Sequence, residues 1–368
     1  MRVAIVTRYF LPVKGGIENH CYNLAKELVK KNVKVEIHTS KDTLTNKNTL
    51  VDYEIVDNIV VRRHKRFWKI TLKDWDVIHL HNFNIFPHFW FFLKIFLRRL
   101  LRKKVPKLII TTHGGFTPWW KEFSSTKRLI KKAYHKTLGK FFLNKVVDTI
   151  IAVSEWEKEQ LIKENVNPNK ITVIPNGVED LAYELPPQEC KELEAYRPYI
   201  LFMGRISKRK NIEFIIECLR NCKGIYFLIV GPTHEKEYHQ QLIELVKEHK
   251  LDKIVKFIGE RGEIEKYKLI DCSLTVALVS HYETEGIIVK EAIVRGKPVI
   301  VSNKTALPYV INNLENGFVI SNKEEFINAI TLLLKNRNLY NKISRNNKLK
   351  GQKWRWRIIA KQILEIYR

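Results

Sequence analysis

A group of cations in the second half of the chain could bind a diphosphate. The segment Gly204–Asn211 carries Arg205, Lys208, Arg209 and Lys210 between an apolar run typical of a strand and a helical pattern. Four cations at the carboxyl end of a strand repel one another unless solvent or an anion lies among them, and a diphosphate is the natural partner there. A solvated basic loop is the alternative interpretation.

Two carboxylates lie eight residues apart farther along the chain. Glu283 follows a strand-like run, and Glu291 falls within the helical stretch 287–295. Gly286 lets the backbone turn into that helix, whose first amides and dipole favour an anion. Glu291 could accept hydrogen bonds from two adjacent hydroxyls, as a carboxylate does with a ribose. Favourable capping by acids near a helix start explains the same pattern without a ligand.

Two further candidates lie in the first half of the chain. Gly15 and Gly16 form a strand-to-helix turn, where backbone amides could approach a phosphate or oxyanion; a tight turn without a ligand explains them as well. His113 ends a strand-like run in the sequence Thr-Thr-His-Gly-Gly. A buried histidine bonded to a carbonyl is the commoner case, but its position at a strand end favours a functional role.

Three other histidines raise a metal hypothesis. His79 and His81 share one face of a predicted strand, and His20 could join them at a zinc ion. The sequence offers no cysteine or second pair that would complete the site, so we predict no metal. The five cysteines are odd in number and lack a C-x-x-C spacing; Cys218 and Cys222 are interpreted as small core residues.

The chemistry-bearing residues must be positioned by parallel sheets. Val- and Ile-rich runs alternate with longer amphipathic stretches, which is the pattern of an α/β protein. We predict strands at 3–7, 33–38, 77–80, 108–112, 149–153, 199–203, 226–230, 255–258, 274–279 and 298–302, and helices that include 17–31 and 124–143.

A length of 368 residues suits two domains. We expect two doubly wound, Rossmann-like domains at residues 1–180 and 198–350, separated near a Pro- and Glu-rich stretch, and a closing helix in 351–368 that returns to the first domain. Ligands of such sheets bind at the carboxyl ends of the strands, so we expect a site in a cleft between the domains.

Positive charge is concentrated at the two ends of the sequence. The net charge is +26 for the chain, +19 for residues 1–150, −2 for 151–300 and +9 for 301–368. Such an excess suggests a nucleic acid, an anionic membrane or a phosphorylated substrate as partner. Nucleic-acid binding requires one continuous groove with stacking aromatics, whereas these cations share strand ends with carboxylates. A non-catalytic nucleic-acid-binding protein is therefore the more distant alternative, and we expect no nucleic acid.

Two basic, aromatic stretches, 89–104 and 118–142, suit a membrane interface with anionic headgroups. Sheet-packing aromatics beneath a solvated basic face are the alternative. The chain begins as a strand and not as a signal peptide, and it has no uninterrupted apolar run of spanning length. We therefore expect a cytoplasmic protein, peripheral on the inner face of the cell membrane. The membrane-binding candidates are Trp90, Lys94, Arg98, Arg102, Trp119, Trp120, Lys131 and Lys132.

These motifs, in this order, resemble the retaining glycosyltransferases of family 4, which have the GT-B fold. The resemblance spans nearly the whole chain, and the spacing Glu283-x7-Glu291 before a Gly-x-Pro turn is its most specific part. The matching segments are Gly15-Gly16-x-Glu18, Thr112-His113-Gly114, Val153-Ser154, Pro175-Asn176-Gly177-Val178, Gly204-Arg205 with Lys210, Glu283-x7-Glu291, Gly296-Lys297-Pro298 and the tail 356–367.

The resemblance implies a hexosyltransferase-type, metal-independent enzyme without a dinucleotide cofactor, whose donor is a nucleotide diphosphate sugar. It implies that Arg205 and Lys210 bind the diphosphate, and that the amides of Gly286 and Ile287 contact the phosphate. Glu291 would bind the ribose and Glu283 the transferred sugar. His113 would lie near the reacting carbon, and Gly15 and Gly16 would lie against the donor or the acceptor. The chain departs from the family at Glu285, where an aromatic residue is usual, and at Asn211, where glycine is common.

The basic stretches favour a lipid or lipid-linked glycan as acceptor. The resemblance strengthens this expectation, because many members of the family glycosylate such molecules. A soluble transferase acting on a free sugar, sugar phosphate or polysaccharide is the alternative, and a GT-B-shaped sugar-nucleotide epimerase is more distant.

Overall fold

The computed structural model describes residues 1–13, 15–43, 46–47, 49–65 and 70–368. The chain divides into two compact units: unit 1 is Met1–Gly177 with Trp356–Arg368, and unit 2 is Val178–Arg355. Residues 181–197, which the sequence analysis leaves between its two domains, and residues 178–180, which it places in the first domain, therefore belong to unit 2.

Unit 1 is built on an eight-stranded sheet. Its strands are β1 (Arg2–Val6), β2 (Lys34–Ser40), β3 (Tyr53–Val56), β4 (Ile59–His64), β5 (Val77–His81), β6 (Lys107–Thr111), β7 (Thr149–Ala152) and β8 (Ile171–Val173). The strand order is β3-β4-β2-β1-β5-β6-β7-β8, and only the edge strand β3 runs antiparallel to its neighbour. The helices of residues 1–177 are α1 (Gly16–Lys30), α2 (His88–Leu100), α3 (Ser125–Tyr134), α4 (Lys140–Lys145) and α5 (Glu155–Lys163).

The sequence of β1 shows why this sheet is buried on both faces. Val3 and Ile5 pack into a core with α1, while Ala4 and Val6 pack into a second core with α2. Successive side chains of a strand point to opposite faces, and parallel sheets are covered on both, so an uninterrupted apolar run suits this position.

Unit 2 is built on a six-stranded parallel sheet in the order β11-β10-β9-β12-β13-β14. Its strands are β9 (Tyr199–Met203), β10 (Tyr226–Val230), β11 (Val255–Gly259), β12 (Thr275–Leu278), β13 (Val299–Ser302) and β14 (Phe318–Ile320). Its helices are α6 (Leu181–Glu184), α7 (Ile212–Leu219), α8 (Lys236–Glu248), α9 (Glu263–Cys272), α10 (Ile287–Val294), α11 (Lys323–Lys335) and α12 (Arg337–Lys350).

The last helix, α13 (Trp356–Tyr367), packs in unit 1. Its buried residues recur at the spacing of one helical face and join the core that contains α1. A Cβ atom on Gly177 would lie 2.5 Å from the Trp356 ring, so only glycine allows the chain to pass that close to the start of α13.

The predicted fold class is confirmed, because both units are Rossmann-like parallel α/β structures. The sequence analysis missed the short edge strands β3, β8 and β14 and also the six-residue strand β4. The predicted helix at 124–143 is divided by a π-helical turn at His135–Gly139 between α3 and α4. The sequence analysis also missed a disulfide between Cys190 and Cys272, whereas Cys218 and Cys222 are free and packed as expected.

Candidate functional site

The two sheets create a candidate site in each unit by the same device. In unit 1, β1 lies between β2 and β5; in unit 2, β9 lies between β10 and β12. At such a point the connections from two adjacent strands run in opposite directions. The loops at the carboxyl ends of those two strands therefore separate and leave room for a ligand. Gly15 follows β1, Arg205 and Lys210 follow β9, and Glu283 and Gly286 follow β12, whereas His113 follows β6.

Lys210 and Glu283 form an ion pair in unit 2. Lys210 lies in a 3-10 turn after β9, and Glu283 lies in the loop after β12. The Lys210 ammonium donates to Oε1 of Glu283, which also accepts from the Ser280 hydroxyl at 3.1 Å. Both side chains are about nine-tenths buried. The structure therefore brings together Lys210, which is predicted to bind the diphosphate, and Glu283, which is predicted to face the sugar.

Burial and neighbouring charges shift the pKa of both partners. Burial lowers the pKa of Lys210, and Glu283 opposes that shift without cancelling it. Burial alone would raise the pKa of Glu283, but Lys210 and Arg209 hold it below its ordinary value. Glu283 is therefore an anion at neutral pH. Arg205, in the same loop as Lys210, is exposed and can reach a ligand from solvent.

Gly286 and Ile287 begin α10 in unit 2. Gly286 has a φ of 76°, in the left-handed region that glycine adopts without steric cost, and Ile287 is the first helical residue. The amides of a first helical turn have no partner within the helix and carry the positive end of its dipole. Asn211 also has a positive φ, of 55°, and its side chain donates to the carbonyl of Val279. Asparagine tolerates that conformation, which explains why it can replace glycine there.

Glu291 lies against Lys266 rather than standing alone. The Lys266 ammonium is 2.8 Å from Oε1 of Glu291, 2.5 Å from Glu263 and 3.9 Å from Glu179. Burial opposes the charged form of Lys266, but the surrounding carboxylates raise its pKa above the ordinary value. Burial raises the pKa of Glu179 to about 7. Lys266, which sequence reasoning missed, therefore orients the carboxylate that is predicted to hold the ribose.

Glu285 is paired inside unit 2. Its carboxylate accepts a hydrogen bond from Lys290 of α10, and the two side chains are only 3% and 2% exposed. The Lys290 ammonium also lies 5.2 Å from the centre of the Trp354 ring. The acid that replaces an aromatic residue in this chain is thus neutralised by a lysine five positions later.

His113 in unit 1 is held in a turn anchored by Glu157. His113 is half-buried with a φ of 46°. Oε1 of Glu157 accepts from the hydroxyl of Thr112 at 2.7 Å and from the amide of Gly114, and Oε2 accepts from the amide of Val153 at 2.8 Å. Glu157 is fully buried and is another residue that sequence reasoning missed. The spacing Ser154-x-x-Glu157, typical of a helix start, was its available signal.

Four histidines of unit 1 cluster at the ends of β5 and β6. Nδ1 of His81 lies 3.2 Å from Nε2 of His113, and Nδ1 of His20 lies 2.5 Å from Oδ1 of Asn176. Both ring nitrogens of His79 are hydrogen-bonded, to the hydroxyls of Tyr367 at 2.7 Å and Thr111 at 2.8 Å. The structure thus replaces the sequence-based grouping: His113 joins His20 and His81, and His79 belongs to the packing of α13.

Three imidazoles of this cluster, those of His79, His81 and His113, are uncharged at neutral pH. Burial lowers the pKa of each of them well below the ordinary value, and repulsion by neighbouring histidines, including His20, lowers it further. Neutral imidazoles can accept a proton, donate a hydrogen bond or ligate a metal ion. These three side chains therefore offer lone pairs rather than charge.

The glycine turn that precedes this cluster is only partly described. Gly15 is extended and caps α1, and Gly16 is the first residue of that helix. Lys14 lies outside the described residues. The α1 helix carries His20 into the cluster, so the turn fixes where that imidazole enters.

The three tryptophans among the membrane-binding candidates are less exposed than several apolar side chains near them. Trp90, Trp119 and Trp120 are half-buried, because Trp90 packs on Phe86 and Phe89 and Trp120 packs near His135. The large apolar side chains that are exposed between residues 86 and 141 are Phe86, Leu97, Leu100, Leu101, Leu129, Ile130, Leu138 and Phe141. The most exposed apolar side chains of this surface are therefore leucine, isoleucine and phenylalanine, and the tryptophans are only partly exposed.

The cations of the same region have different environments. Arg98 donates to the carbonyl of Lys104 at 3.2 Å, and Arg102 is exposed just after α2. Lys131 lies 4.4 Å from the ring centre of Phe123, and Lys132 lies 5.3 Å from that of Trp120. Lys94 is half-buried, and burial lowers its pKa. Among the described residues, no helix is long and apolar enough to cross a membrane.

Comparison with known proteins establishes the family. Residues 14–180 match the profile described as Glycosyltransferase Family 4, and residues 189–350 match that of Glycosyl transferases group 1. Fold and profiles together define a glycosyltransferase of the GT-B class. The chain belongs to glycosyltransferase family 4.

Two relatives and two solved structures illustrate this placement. An uncharacterized glycosyltransferase of Methanocaldococcus jannaschii is 25% identical, over 100% of this chain and 98% of its own. The UDP-Gal:alpha-D-GlcNAc-diphosphoundecaprenol alpha-1,3-galactosyltransferase of Escherichia coli is 30% identical over 67% of this chain and 65% of its own. Sucrose-phosphate synthase of Thermosynechococcus elongatus superposes with a TM-score of 0.80, at 19% identity over 100% and 98% of the two chains. HepE of Anabaena, in complex with UDP and glucose, gives 0.78 at 19% identity over 100% and 99%.

Proposed function

We propose that this glycosyltransferase moves a hexose or related sugar from a nucleotide diphosphate sugar to a lipid or lipid-linked glycan, with retention at the anomeric carbon and without a metal ion. The observation that carries the donor assignment is the set of charges in the loops after β9 and β12: Lys210 and Glu283 paired, Arg205 exposed, and the α10 N-terminus in the same unit.

Lys210 and Arg205 bind the donor diphosphate. In the free protein Glu283 neutralises Lys210, so the buried ammonium is not left without a counter-ion. A diphosphate supplies stronger acceptors for the same ammonium, and its oxygens also accept hydrogen bonds from the amides of Gly286 and Ile287. Lys210 then turns from Glu283 to the phosphate, and the Glu283 carboxylate becomes available to the hydroxyls of the sugar.

Glu291 binds the ribose of the donor. Its Oε1 is held by Lys266 at 2.8 Å and by the Tyr267 hydroxyl at 3.4 Å. These two contacts fix the orientation of the carboxylate, which can accept hydrogen bonds from two vicinal hydroxyls. The ribose thus meets a preorganised acceptor.

Transfer requires stabilisation of charge on the departing nucleotide diphosphate. The transition state has oxocarbenium character on the sugar, while negative charge grows on the leaving phosphate. Lys210, Arg205 and the first turn of α10 stabilise that charge, and His113 contacts the sugar near the reacting carbon. Attack by the acceptor from the face that the leaving group departs gives retention, and Glu283 binds the sugar rather than bonding to it.

The acceptor assignment draws support from the surface of residues 86–141. Exposed leucine, isoleucine and phenylalanine side chains lie in the same segment as the exposed cations Arg102, Lys103, Lys104, Lys121, Lys127 and Lys136. Apolar side chains that insert and cations that attract anionic lipid together favour peripheral binding at the inner face of the cell membrane. The similarity to a galactosyltransferase named for a diphosphoundecaprenol substrate supports the same choice.

A soluble acceptor is the second candidate. The similarity in fold to a sucrose-phosphate synthase favours it, because that enzyme is named for a water-soluble product. The two candidates differ in whether unit 1 must bind lipid.

A vesicle assay separates them. We expect the protein to pellet with anionic vesicles at low salt, less at high salt, and little with neutral vesicles, since each cation near the surface contributes about 1 kcal/mol. The variant Leu100→Glu, Leu101→Glu should lose the salt-resistant part of binding. Leu349→Glu is the matched control, because Leu349 is 72% exposed and lies in unit 2. Negligible pelleting with either lipid would reject the lipid acceptor and favour the soluble one.

The donor is tested independently of the acceptor. The protein is melted in the presence of each member of a panel of nucleoside diphosphates and sugar nucleotides. We expect the nucleotides of one base to raise the melting temperature, because a ligand that binds only the folded state stabilises it by mass action. Activity unchanged in EDTA, and a product with the donor's anomeric configuration by NMR, are expected. Loss of activity in EDTA that a divalent ion restores would reject metal independence, and an inverted product would reject retention.

A further inference from the structure

We propose that His20, His81 and His113 form a binding site for a transition-metal ion, best suited to zinc, and that occupation of this site inhibits sugar transfer. The first half of this proposal concerns unit 1 alone. The second half rests on the proposed contact between His113 and the sugar.

The three imidazoles are already grouped at the distance that a shared metal ion requires. One ring nitrogen from each residue lies within 4.8 Å of the others. A tetrahedral zinc ion with Zn–N bonds of about 2.0–2.1 Å brings its ligand nitrogens to roughly 3.3–3.4 Å from one another. Nδ1 of His81 and Nε2 of His113 are 3.2 Å apart, so their separation already matches this spacing. The ring of His20 must close the remaining distance by small side-chain rotations.

The surroundings of His20 match those of a metal ligand. Its Nδ1 lies 2.5 Å from Oδ1 of Asn176, and a hydrogen bond donated there makes Nε2 the nitrogen that carries the lone pair. Metal-binding histidines almost always donate their other nitrogen to such a carbonyl or carboxylate, which fixes the tautomer and the ring. The ring centroid of His20 lies 4.8 Å from that of His113 and 5.1 Å from that of His81, so His20 directly neighbours both members of the pair.

Three imidazoles favour zinc over magnesium or calcium. Borderline ions such as Zn²⁺, Co²⁺ and Cu²⁺ prefer nitrogen ligands, whereas Mg²⁺ and Ca²⁺ prefer oxygen. Three protein ligands leave a fourth position for water, and His113 is half-buried, so solvent can reach its end of the cluster.

Metal occupation would remove His113 from its proposed role. A nitrogen that ligates zinc can neither donate a hydrogen bond to the sugar nor accept one from it. The bound ion would also place positive charge where the oxocarbenium-like centre develops, which opposes that centre. Zinc should therefore act as an inhibitor of an enzyme that needs no metal.

Binding is measured first, without nucleotide. Metal-stripped protein is dialysed against Zn²⁺ and analysed for metal content, and Co²⁺ is titrated while its visible absorption is recorded. We expect one ion per chain and the intense bands of tetrahedral cobalt. His81→Gln and His20→Gln should each weaken binding at least about tenfold. His64→Gln is the matched control, because His64 pairs with His38 at 2.9 Å in the same unit without a third ligand among the described residues.

These results decide the site. Wild-type protein that takes up no zinc at micromolar concentration, or His81→Gln that binds it as tightly as wild type, would overturn it. Far-UV circular dichroism of each variant verifies that the histidine replacements leave the fold intact. His20→Gln supplies the same test if His81→Gln does not fold.

Inhibition is measured second, with each protein referred to its own activity in EDTA. Wild type and His64→Gln should lose transfer as Zn²⁺ is added, with the same midpoint as in the binding experiment. His81→Gln should require at least about tenfold more Zn²⁺. Stoichiometric zinc binding without inhibition would overturn the proposed role of His113 while leaving the metal site standing; absence of binding would overturn the metal site whatever the activity.

Discussion

The two units use the same sheet topology to build opposite kinds of polar site. In unit 1 the strand ends gather histidines, and burial lowers the pKa of His81 and His113 so that these imidazoles are uncharged at neutral pH. In unit 2 they gather lysines and glutamates in ion pairs, including Lys210–Glu283 and Lys290–Glu285. A donor diphosphate needs charge that can be redirected to it, whereas a sugar near its reacting carbon needs neutral hydrogen-bonding groups. The contrast supports our proposal that the donor phosphate binds in unit 2.

The surfaces of the units differ in the same direction. Unit 1 contains 36 basic and 16 acidic residues, a net charge of +20, whereas unit 2 contains 29 basic and 23 acidic residues, a net charge of +6. The larger excess of positive charge therefore lies in unit 1. This difference is consistent with our proposals that unit 1 attracts an anionic membrane and that unit 2 binds the donor.

The largest expected effect concerns the ion pair that is most deeply buried. Lys290→Met leaves the Glu285 carboxylate buried without its counter-ion, so the free energy of unfolding of unit 2 should fall by about 3–5 kcal/mol. Urea unfolding is the measurement. The double variant Glu285→Gln, Lys290→Met should recover most of the loss. A single variant as stable as wild type would show that the pair is not buried as described.

The next effect tests donor binding. Lys210→Ala removes a charge-assisted contact, and the affinity for a nucleoside diphosphate should fall by about 1.5–3 kcal/mol in calorimetry. Lys208→Ala, in the same loop but exposed, is the control and should bind nearly as wild type. Equal affinity of a folded Lys210→Ala protein would contradict the assignment of this lysine.

A smaller effect tests the turn that carries His113. Glu157→Gln replaces one carboxylate oxygen by an amide that cannot accept, so at least one bond from Thr112, Gly114 or Val153 is lost. We expect unit 1 to lose about 1–2 kcal/mol of stability, and kcat to fall while the affinity for the nucleotide in unit 2 stays the same. Glu159→Gln, on the same helix, should change neither quantity. A reduced nucleotide affinity in Glu157→Gln would show that the two sites are not independent.

The smallest effect is a pH dependence in unit 2. Burial raises the pKa of Glu179 to about 7 in the folded protein, so the folded state binds more protons than the unfolded state between about pH 4.5 and 7. The stabilising contribution is present below the unfolded pKa and is lost as the pH rises through 7. Since the side chain is one-quarter exposed, we expect a loss of about 1–2 kcal/mol between pH 5 and 8 relative to Glu179→Gln. Parallel stability curves for the two proteins would refute the raised pKa.

The sheets and most turns could be predicted from sequence because their signals are local. An apolar run such as Tyr199–Met203 predicts a buried parallel strand with its observed bounds. The glycine at 286 and the helix after it were also evident, since a left-handed residue before a helix needs no distant partner. The short edge strands carry too few residues for a comparable signal.

The partners of the site residues could not be predicted, because they depend on tertiary contacts. Asn176 is 156 positions from His20, and Lys266 is 25 positions from Glu291. The disulfide between Cys190 and Cys272 spans 82 positions without a recognisable spacing. The apolar sequence of α2 likewise could not show that Trp90 is half-buried while Leu97 and Leu100 face solvent.

Hydrogen exchange with bound nucleotide tests most directly whether the phosphate belongs to unit 2. Amide exchange is followed by mass spectrometry with and without a saturating nucleoside diphosphate, since bound ligand protects the amides that it contacts or orders. We expect the amides of residues 204–211 and 286–295 to be protected. Because this nucleotide lacks the sugar, exchange around His113 should stay unchanged. Protection confined to Gly15–Gly16 and His113, with 204–211 and 286–295 unchanged, would contradict the account.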